Sequence, residues 1–359
     1  MTNQSYLPVL ELSRGYTTEQ EQTTESIHFG AIAVVDAKGN LLASYADPFT
    51  ISFLRSTAKP FQALPFYEGG GKDFYHLTMR EIALTCASHI GTDEHFYVVQ
   101  SIQSKSGIKE SDLLCGIHPP LHEPTAEMLR KLAIKPTSNR HTCSGKHSGM
   151  LAFARMLDQP IDNYLDISHA IQKTILQVIS EMFKLPVDEV KIGIDGCSAP
   201  TFALPLYNAA LAYARLCDPI AGGIRSESRL KACELITKSM ISNPDMVAGP
   251  GEFDTCLMEI GEGRFLSKTG AEGYQCLGLL PGVLQPHSCG VGIAIKISDG
   301  DLKGRAIPAT SLEVLRQLKV LSKPDLEALK QFGPKTPISN WRKIVVGDAK
   351  PVFTLQVAG

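Results

Sequence analysis

No stretch of the 359-residue chain approaches the ~18 consecutive apolar residues that a helix needs to cross a bilayer. Nor does one sign of charge dominate. Lys and Arg number 35 against 37 Asp and Glu, a formal net charge of -2, and no basic stripe offers a track for nucleic acid. The start, MTNQSYLPVLELSRG, has no basic segment leading into an apolar core, so no secretory leader is expected there. A disulfide framework is not expected either. The nine cysteines, at 86, 115, 143, 197, 217, 233, 256, 276 and 289, are odd in number and widely spaced, which suits a reducing cytoplasm. No repeat of about 20 to 50 residues is present. What remains is a folded, soluble chain of ordinary composition, 43% apolar and 20% charged. It is long enough for two compact units or one large unit with an inserted lobe.

Hydrophobic patterning places strands at both ends and helices between them. HFGAIAVVD (28–36) and NLLASYAD (40–47) flank a turn at Gly39 and read as a hairpin, and LPVLELSRG adds a third candidate strand. Helical spacing follows at 59–67, 77–88, 93–103, 125–133, 146–158, 165–182, 201–216 and 224–242. Strands return at 190–195, 264–270, 273–280 and 290–297, and RKIVVGDAKPVFTLQV reads as a last hairpin around Gly347 and Asp348. The expectation is an α+β fold. The N- and C-terminal strands share one antiparallel sheet flanked by helices, with a largely helical middle lobe. The whole chain, 1–359, is expected to form one catalytic unit, with its sheet part near 1–60 and 190–359 and its helical lobe near 61–189.

Two short motifs carry chemistry. RSTAKPFQ (55–62) contains S-x-x-K, with Ser56 at a helix start and Lys59 one turn on, on the same face. A deprotonated Lys59 could take the Ser56 proton while backbone N–H groups at the helix end hold negative charge. The same letters would serve a capping serine beside a solvated lysine, and S-x-x-K also occurs at Ser106–Lys109 and Ser228–Lys231. K-T-G occurs once, in SKTGAEG (267–273), directly after a strand, where S-x-x-K acyl enzymes present a lysine to the nucleophile. The middle element of that set, S-D-N, is missing. Its best substitute is CASHIGTDEH, where Ser88 could relay protons between two lysines. HTCSGKHSG (141–149) lacks the spacing of a phosphate-binding P-loop and instead crowds Cys143, Lys146 and His147 at a glycine-rich helix start. GIDGCSAP (193–200) places Asp195 and Cys197 at a strand end. Two distant cysteines on glycine loops can share a metal, and two buried inert cysteines would leave the same letters.

Five blocks, RSTAKP, CASHIGTDEH, CSGKHSGMLAFA, DGCSAPTFALPL and NPDMVAG…SKTGAEG, occur in this order. Together they resemble the asparaginase II family of rhizobial type, the class 3 L-asparaginases, which is separate from the threonine-dependent and plant-type asparaginases. The resemblance runs from the hairpin at His28 to the C-terminal strands. It implies hydrolysis of L-asparagine to aspartate and ammonia, a fold like that of serine β-lactamases and glutaminases, and a homodimer. It pairs Ser56 with Lys59 and Ser88 with Lys268, and puts Cys143, Lys146 and Cys197 around a zinc position with Asp195 beside it. The one departure is SKTG, where members of the family often have Gly-Lys-Leu-Gly; Lys268 is kept.

On this reading Ser56 attacks, Lys59 is its base, Lys268 is the cation that lowers the Lys59 pKa, and Ser88 shuttles protons to the leaving amine. The roles of Ser56 and Ser88 could be exchanged. Asp195 takes the substrate α-amino group, Lys146 or Arg55 takes the α-carboxylate, and His147 is counted with the substrate-binding residues. Zinc is expected to position substrate rather than to make hydroxide. Two rival readings are an acyl-serine enzyme acting on glutamine, a β-lactam or an ester, and an amino-acid sensor without turnover.

Overall fold

The computed structural model describes residues 5–16 and 22–358. The first four residues of the segment judged to lack a leader lie outside the described residues. The chain divides into two units, one of Met1–Ser52, Pro205–Gly222 and Thr269–Gly359, the other of Phe53–Leu204 and Gly223–Lys268.

The first unit is built on an antiparallel sheet. Its strands run Thr336–Ser339, Val345–Pro351, Leu7–Arg14, Thr23–Asp36, Val291–Ile297 and Tyr274–Leu279 in spatial order. The central strand, Thr23–Asp36, changes character along its length. Its first half is exposed, whereas Ala31–Val35 are fully buried, the mark of a strand covered on both faces. In register, Ile32 faces Ile295 on one side and Tyr45 of the short strand Leu41–Tyr45 on the other. The helix Leu206–Cys217, buried over most of its length, packs on this sheet. The architecture is the α+β fold expected, with N- and C-terminal strands in one antiparallel sheet.

Two expectations are corrected. No helix begins at Thr201: Pro200–Pro205 is a strand and the helix starts at Leu206. Pro205 explains the change, because past the first turn of a helix a proline removes a backbone hydrogen bond and crowds the preceding turn, and it biases the residue before it towards extended backbone. The last hairpin turns at 340–344, not at Gly347 and Asp348. There the Asn340 side chain accepts the Arg342 and Ile344 N–H groups, and Gly347 lies within the strand Val345–Pro351. A side chain at Gly347 would meet the Ser13 carbonyl at 1.9 Å, so glycine is there for close strand approach.

The second unit is largely helical. Its centre is the helix Lys59–Glu68, buried from Lys59 through Tyr67, which packs against the helices Ser144–Met156, Ala170–Phe183 and Glu227–Ser242. This packing draws 53–60, 190–204 and 223–268, which the sequence groups with the sheet, into the helical unit. The strands Lys191–Ile194 and Pro200–Pro205 pair as an antiparallel hairpin. The helix expected over 77–88 runs only from Met79 to Thr85, opened by a Thr78–Glu81 capping box. The helix expected over 165–182 begins at Ala170, where the His169 side chain accepts the Ile171 N–H. Among the described residues no helix is long and apolar enough to cross a membrane.

Candidate active site

The expected site residues all fall in the helical unit. Leu54 donates its N–H to Phe202 O at 2.8 Å, which pins the chain beside the hairpin just before Arg55. Arg55 then adopts φ +50°, a left-handed conformation unusual for a residue with a side chain. A 3₁₀ turn over Arg55–Ala58 leads into the helix Lys59–Glu68, with Pro60 in its first turn, where a missing N–H costs nothing. Ser56 is half-buried near the start of this turn, and Lys59 is fully buried.

Ser88 does not end a helix. The chain leaves the helix at Thr85, and Ser88 and Ile90 donate their N–H groups to Val247 O and Ala248 O. His89 fixes this extended segment. Ser144 Oγ donates to Asn139 O, so His89 Nε2 carries the hydrogen given to Ser144 Oγ at 2.9 Å, and His89 Nδ1 accepts the Gly91 N–H. Burial holds His89 well below the ordinary histidine pKa, consistent with that neutral tautomer. The helix bearing Ser144 approaches closely: a side chain at Gly145 would strike Leu84 O at 2.2 Å.

Both buried lysines converge on Ser88. Lys59 Nζ donates to Ser88 Oγ at 2.9 Å and to Ala87 O at 2.5 Å, and Lys268 Nζ donates to Ser88 Oγ at 2.9 Å. Lys268 is fully buried on the strand Phe265–Gly270. Burial lowers the pKa of its amine most strongly, Asp254 opposes, Lys59 adds to the lowering, and the result is about 7. The sequence reading makes Lys268 the cation; in the structure it is an amine drawn towards neutrality.

A second cluster adjoins the first. The turn Asp195–Ala199 closes the hairpin, with Ser198 N–H on Asp195 O and Asp195 N–H on Ala199 O. Arg55 Nε donates to Asp195 Oδ1 at 2.7 Å, an ion pair in which the Asp195 side chain is 9% exposed. Burial acts to raise the Asp195 pKa, but Lys146 and Arg55 outweigh it and hold the carboxyl below its ordinary range. Lys146 Nζ donates to Cys197 Sγ at 2.9 Å. Burial would lower the Lys146 pKa, yet the Cys197 and Cys143 sulfurs and Asp195 keep it above the usual value. Cys143 is held well below the ordinary thiol range, first by hydrogen bonding with Cys197 and then, against its burial, by Lys59 and Lys146. Neither cysteine is in a disulfide. His147 is fully buried, with Nδ1 on Tyr164 Oη at 2.6 Å and its pKa lowered by burial to about 4.

A family model described as L-asparaginase II matches residues 17–351. The chain belongs to the L-asparaginase II family. No curated protein matches it. Solved structures similar to this L-asparaginase II chain include a probable glutaminase from Bacillus subtilis complexed with 6-diazo-5-oxo-L-norleucine. It is 15% identical over 81% of this chain and 84% of that one, with a TM-score of 0.39. A β-lactamase from Mycobacterium bovis is 12% identical over 80% of this chain and 94% of its own, with a TM-score of 0.40.

Among the described residues of this L-asparaginase II, no group of three or more His, Cys, Asp and Glu is placed to hold a metal ion. The zinc expectation rests on a set that includes a lysine. Its two sulfurs, one of them with a depressed pKa, suit a soft divalent ion. Lys146 donates to Cys197 here and would have to lose a proton to become a ligand. Two residues that shape the site, Tyr164 and Asp254, lie outside every motif, and two others, His89 and Ser267, sit inside CASHIGTDEH and SKTGAEG without being singled out there. Only their juxtaposition in the fold exposes them.

Proposed function

We propose that this L-asparaginase II family member hydrolyses L-asparagine to L-aspartate and ammonia through an acyl-serine intermediate on Ser56. The observation that carries this reading is Ser88 Oγ held 2.9 Å from the amines of both Lys59 and Lys268. In the relay Ser88 Oγ accepts an N–H from Lys59 and turns its own O–H to the lone pair of neutral Lys268 across the other 2.9 Å contact, so its oxygen and its proton are both engaged. Ser88 is therefore poorly placed to attack and well placed to relay. Ser56, one helical turn before Lys59, gives up its proton to Lys59 as it attacks the side-chain amide carbon. Lys59 passes a proton to Ser88, and Ser88 passes its own to neutral Lys268. The Ser56 N–H donates to the developing oxyanion. The relay then runs in reverse to protonate the departing ammonia. Water cleaves the resulting ester by the same route, releasing aspartate and restoring Ser56.

The substrate α-amino group is assigned to Asp195 and its α-carboxylate to Arg55 or Lys146, which already form one charge network in the structure. His147, fully buried with Nδ1 on Tyr164 Oη, is assigned to the substrate-binding region through its neighbour Lys146. Zinc, when bound, would be held by Cys143, Cys197 and Lys146 and would supply positive charge for substrate binding. We further propose a reducing cytoplasm, which the nine dispersed cysteines suit, and a homodimer, as the family resemblance implies.

The test is ammonia release from asparagine, glutamine and buffer alone, with a chromogenic β-lactam as control. Release from asparagine at a kcat/KM at least about tenfold above glutamine is expected, a difference of about 1.4 kcal/mol. Faster glutamine or β-lactam turnover would reassign the substrate, and asparagine binding without ammonia release would make the protein a sensor.

The pH dependence follows from Lys268. Only its neutral form accepts the relayed proton, so kcat/KM should fall as pH drops through about 7 and level off above it. A rate unchanged between about pH 6 and 9 would rule out a lysine acceptor.

Cys143→Ser and Cys197→Ser are each expected to lose zinc and to raise KM more than they lower kcat. Metal content, kinetics and melting temperature of both variants decide the matter. Protein purified without chelator and supplied with zinc should hold it stoichiometrically; if it does not, the cysteines serve packing alone.

A further inference from the structure

The turn that opens HTCSGKHSG supplies Cys143 to the site, yet its first residue has no part in the reaction above. His141 is 7% exposed and follows the 3₁₀ turn Ser138–Arg140. Its carbonyl accepts the Ser144 N–H at 2.9 Å, and its Nδ1 accepts the Cys143 N–H at 3.0 Å. An Nδ1 that accepts a backbone N–H carries no hydrogen, so the ring hydrogen sits on Nε2. Its ring lies against that of His118, with centroids 4.4 Å apart, and His118 Nε2 accepts the Thr142 N–H at 3.1 Å. The ring is thus held by its Nδ1 edge and by its neighbour. Among the described residues its Nε2 meets no hydrogen-bond acceptor, and the atom is not sealed from solvent.

This fixed donor stands beside the segment that carries Ser88. Ser144 Oγ bonds His89 Nε2, and a side chain at Gly91 would strike Arg140 O at 2.8 Å, so the turn around His141 packs directly on residues 89–91. The stretch that carries His118 packs there too: Pro120 comes within 3.3 Å of the same point at Gly91, and His122 donates its N–H to Ile90 O at 2.9 Å. The charged and polar groups that act on the His141 ring are His118, Cys197, Lys59 and Lys146, so it adjoins both clusters of the site.

The chemistry of the substrate narrows what this donor can take. The ammonium and the amide nitrogen of asparagine present hydrogens, so an N–H must meet an oxygen. The cations assigned to the α-carboxylate already have partners, Arg55 with Asp195 and Lys146 with Cys197. A carboxylate accepts up to about four hydrogen bonds, and His141 offers one that breaks no existing contact. We propose that His141 is a substrate-binding and specificity residue: its Nε2–H donates to the α-carboxylate of asparagine and favours amides that bear one. This rests on the reading of the protein as an asparagine amidohydrolase.

His141→Asn separates the two edges of the ring. The Asn oxygen can still accept the Cys143 N–H, but the side chain no longer reaches the place of Nε2. His141→Gln returns an N–H at about that reach. The experiment is kcat/KM of the zinc-supplied parent and both variants with asparagine and with β-alanine amide, which is asparagine without its α-carboxylate, with melting temperatures alongside. His141→Asn should lose about tenfold with asparagine, mostly in KM, and stay within about twofold of the parent with β-alanine amide. His141→Gln should recover most of the asparagine rate. Equal losses on the two amides would overturn the proposal, placing the donor on the amide oxygen or making His141 a brace of its turn. An unchanged KM for asparagine in His141→Asn would overturn it as well. If His141→Asn does not fold, His141→Ala is read against the same two amides. A parent that releases no ammonia from asparagine would refute the assigned reaction, and binding would then decide His141. L-aspartate should bind His141→Asn about tenfold more weakly than the parent, and β-alanine equally well; equal losses would overturn the proposal.

Discussion

Ser56→Ala is expected to lower kcat/KM for asparagine by about 10⁴-fold or more, about 5.5 kcal/mol of barrier, with the fold intact. The size follows from covalent catalysis. Without the Ser56 oxygen no ester forms, and the lysine relay has no proton to collect from a nucleophile. The fold should survive because Ser56 is half-buried in a 3₁₀ turn whose cap makes no side-chain hydrogen bond, and alanine is tolerated in that backbone. Ser88→Ala makes the informative comparison. It breaks the bridge between the lysines and should also cost about 10²-fold or more, yet the acyl adduct should still form on Ser56. Turnover by Ser56→Ala within about threefold of the parent, ~0.6 kcal/mol, would overturn the assignment.

Lys268→Met is expected to lower kcat by about 10³-fold or more, about 4 kcal/mol, and to make the protein no less stable. The second half of that statement comes from linkage. In the unfolded chain a lysine binds its proton with a pKa of about 10.4, whereas in the folded protein Lys268 binds it with a pKa of about 7. Folding therefore costs free energy at any pH where the unfolded lysine is charged. That cost is complete below about 7 and disappears as pH rises through the unfolded value. At neutral pH it is on the order of 4 kcal/mol. Methionine fills similar volume without a charge to desolvate, though it leaves Asp254 facing no cation, so only part of the cost returns. A melting temperature at pH 6 equal to or above the parent's, together with lost activity, is the expected pair of results. A marked fall in melting temperature with full activity would show that Lys268 is structural.

Much of this fold was legible in hydrophobic periodicity. The strand Leu7–Arg14, the pairing of Thr23–Asp36 with Leu41–Tyr45 and the buried helices at 59–68 and 144–156 follow from patterns read within single segments. Proline and glycine were harder to place. Pro205 moved a helix start by five residues, and Gly347 proved to serve strand contact rather than a turn. At the site, each short motif marked a residue that the structure brings into one region, because Ser56, Lys59, Ser88, Lys146, Cys197 and Lys268 carry distinctive neighbours. Their partners were not legible. Lys59 bonds Ser88, 29 residues away, only because the segment after Thr85 leaves the helix and pairs with Val247 and Ala248. Asp254 sits in a helix that periodicity did not mark, and its bond to Ser267 depends on tertiary packing. The lowering of the Lys268 pKa has the same origin. Complete burial is a property of the fold, and no local spacing reports it.

The most direct test of the central claim is mass spectrometry of protein quenched during turnover of asparagine, with the modified peptide sequenced. An aspartyl ester on Ser56 is predicted for the parent, at the same residue in Ser88→Ala, and on no residue in Ser56→Ala. An ester on Ser88, or sustained ammonia release with no acyl-enzyme in the parent or in Ser88→Ala, would contradict it.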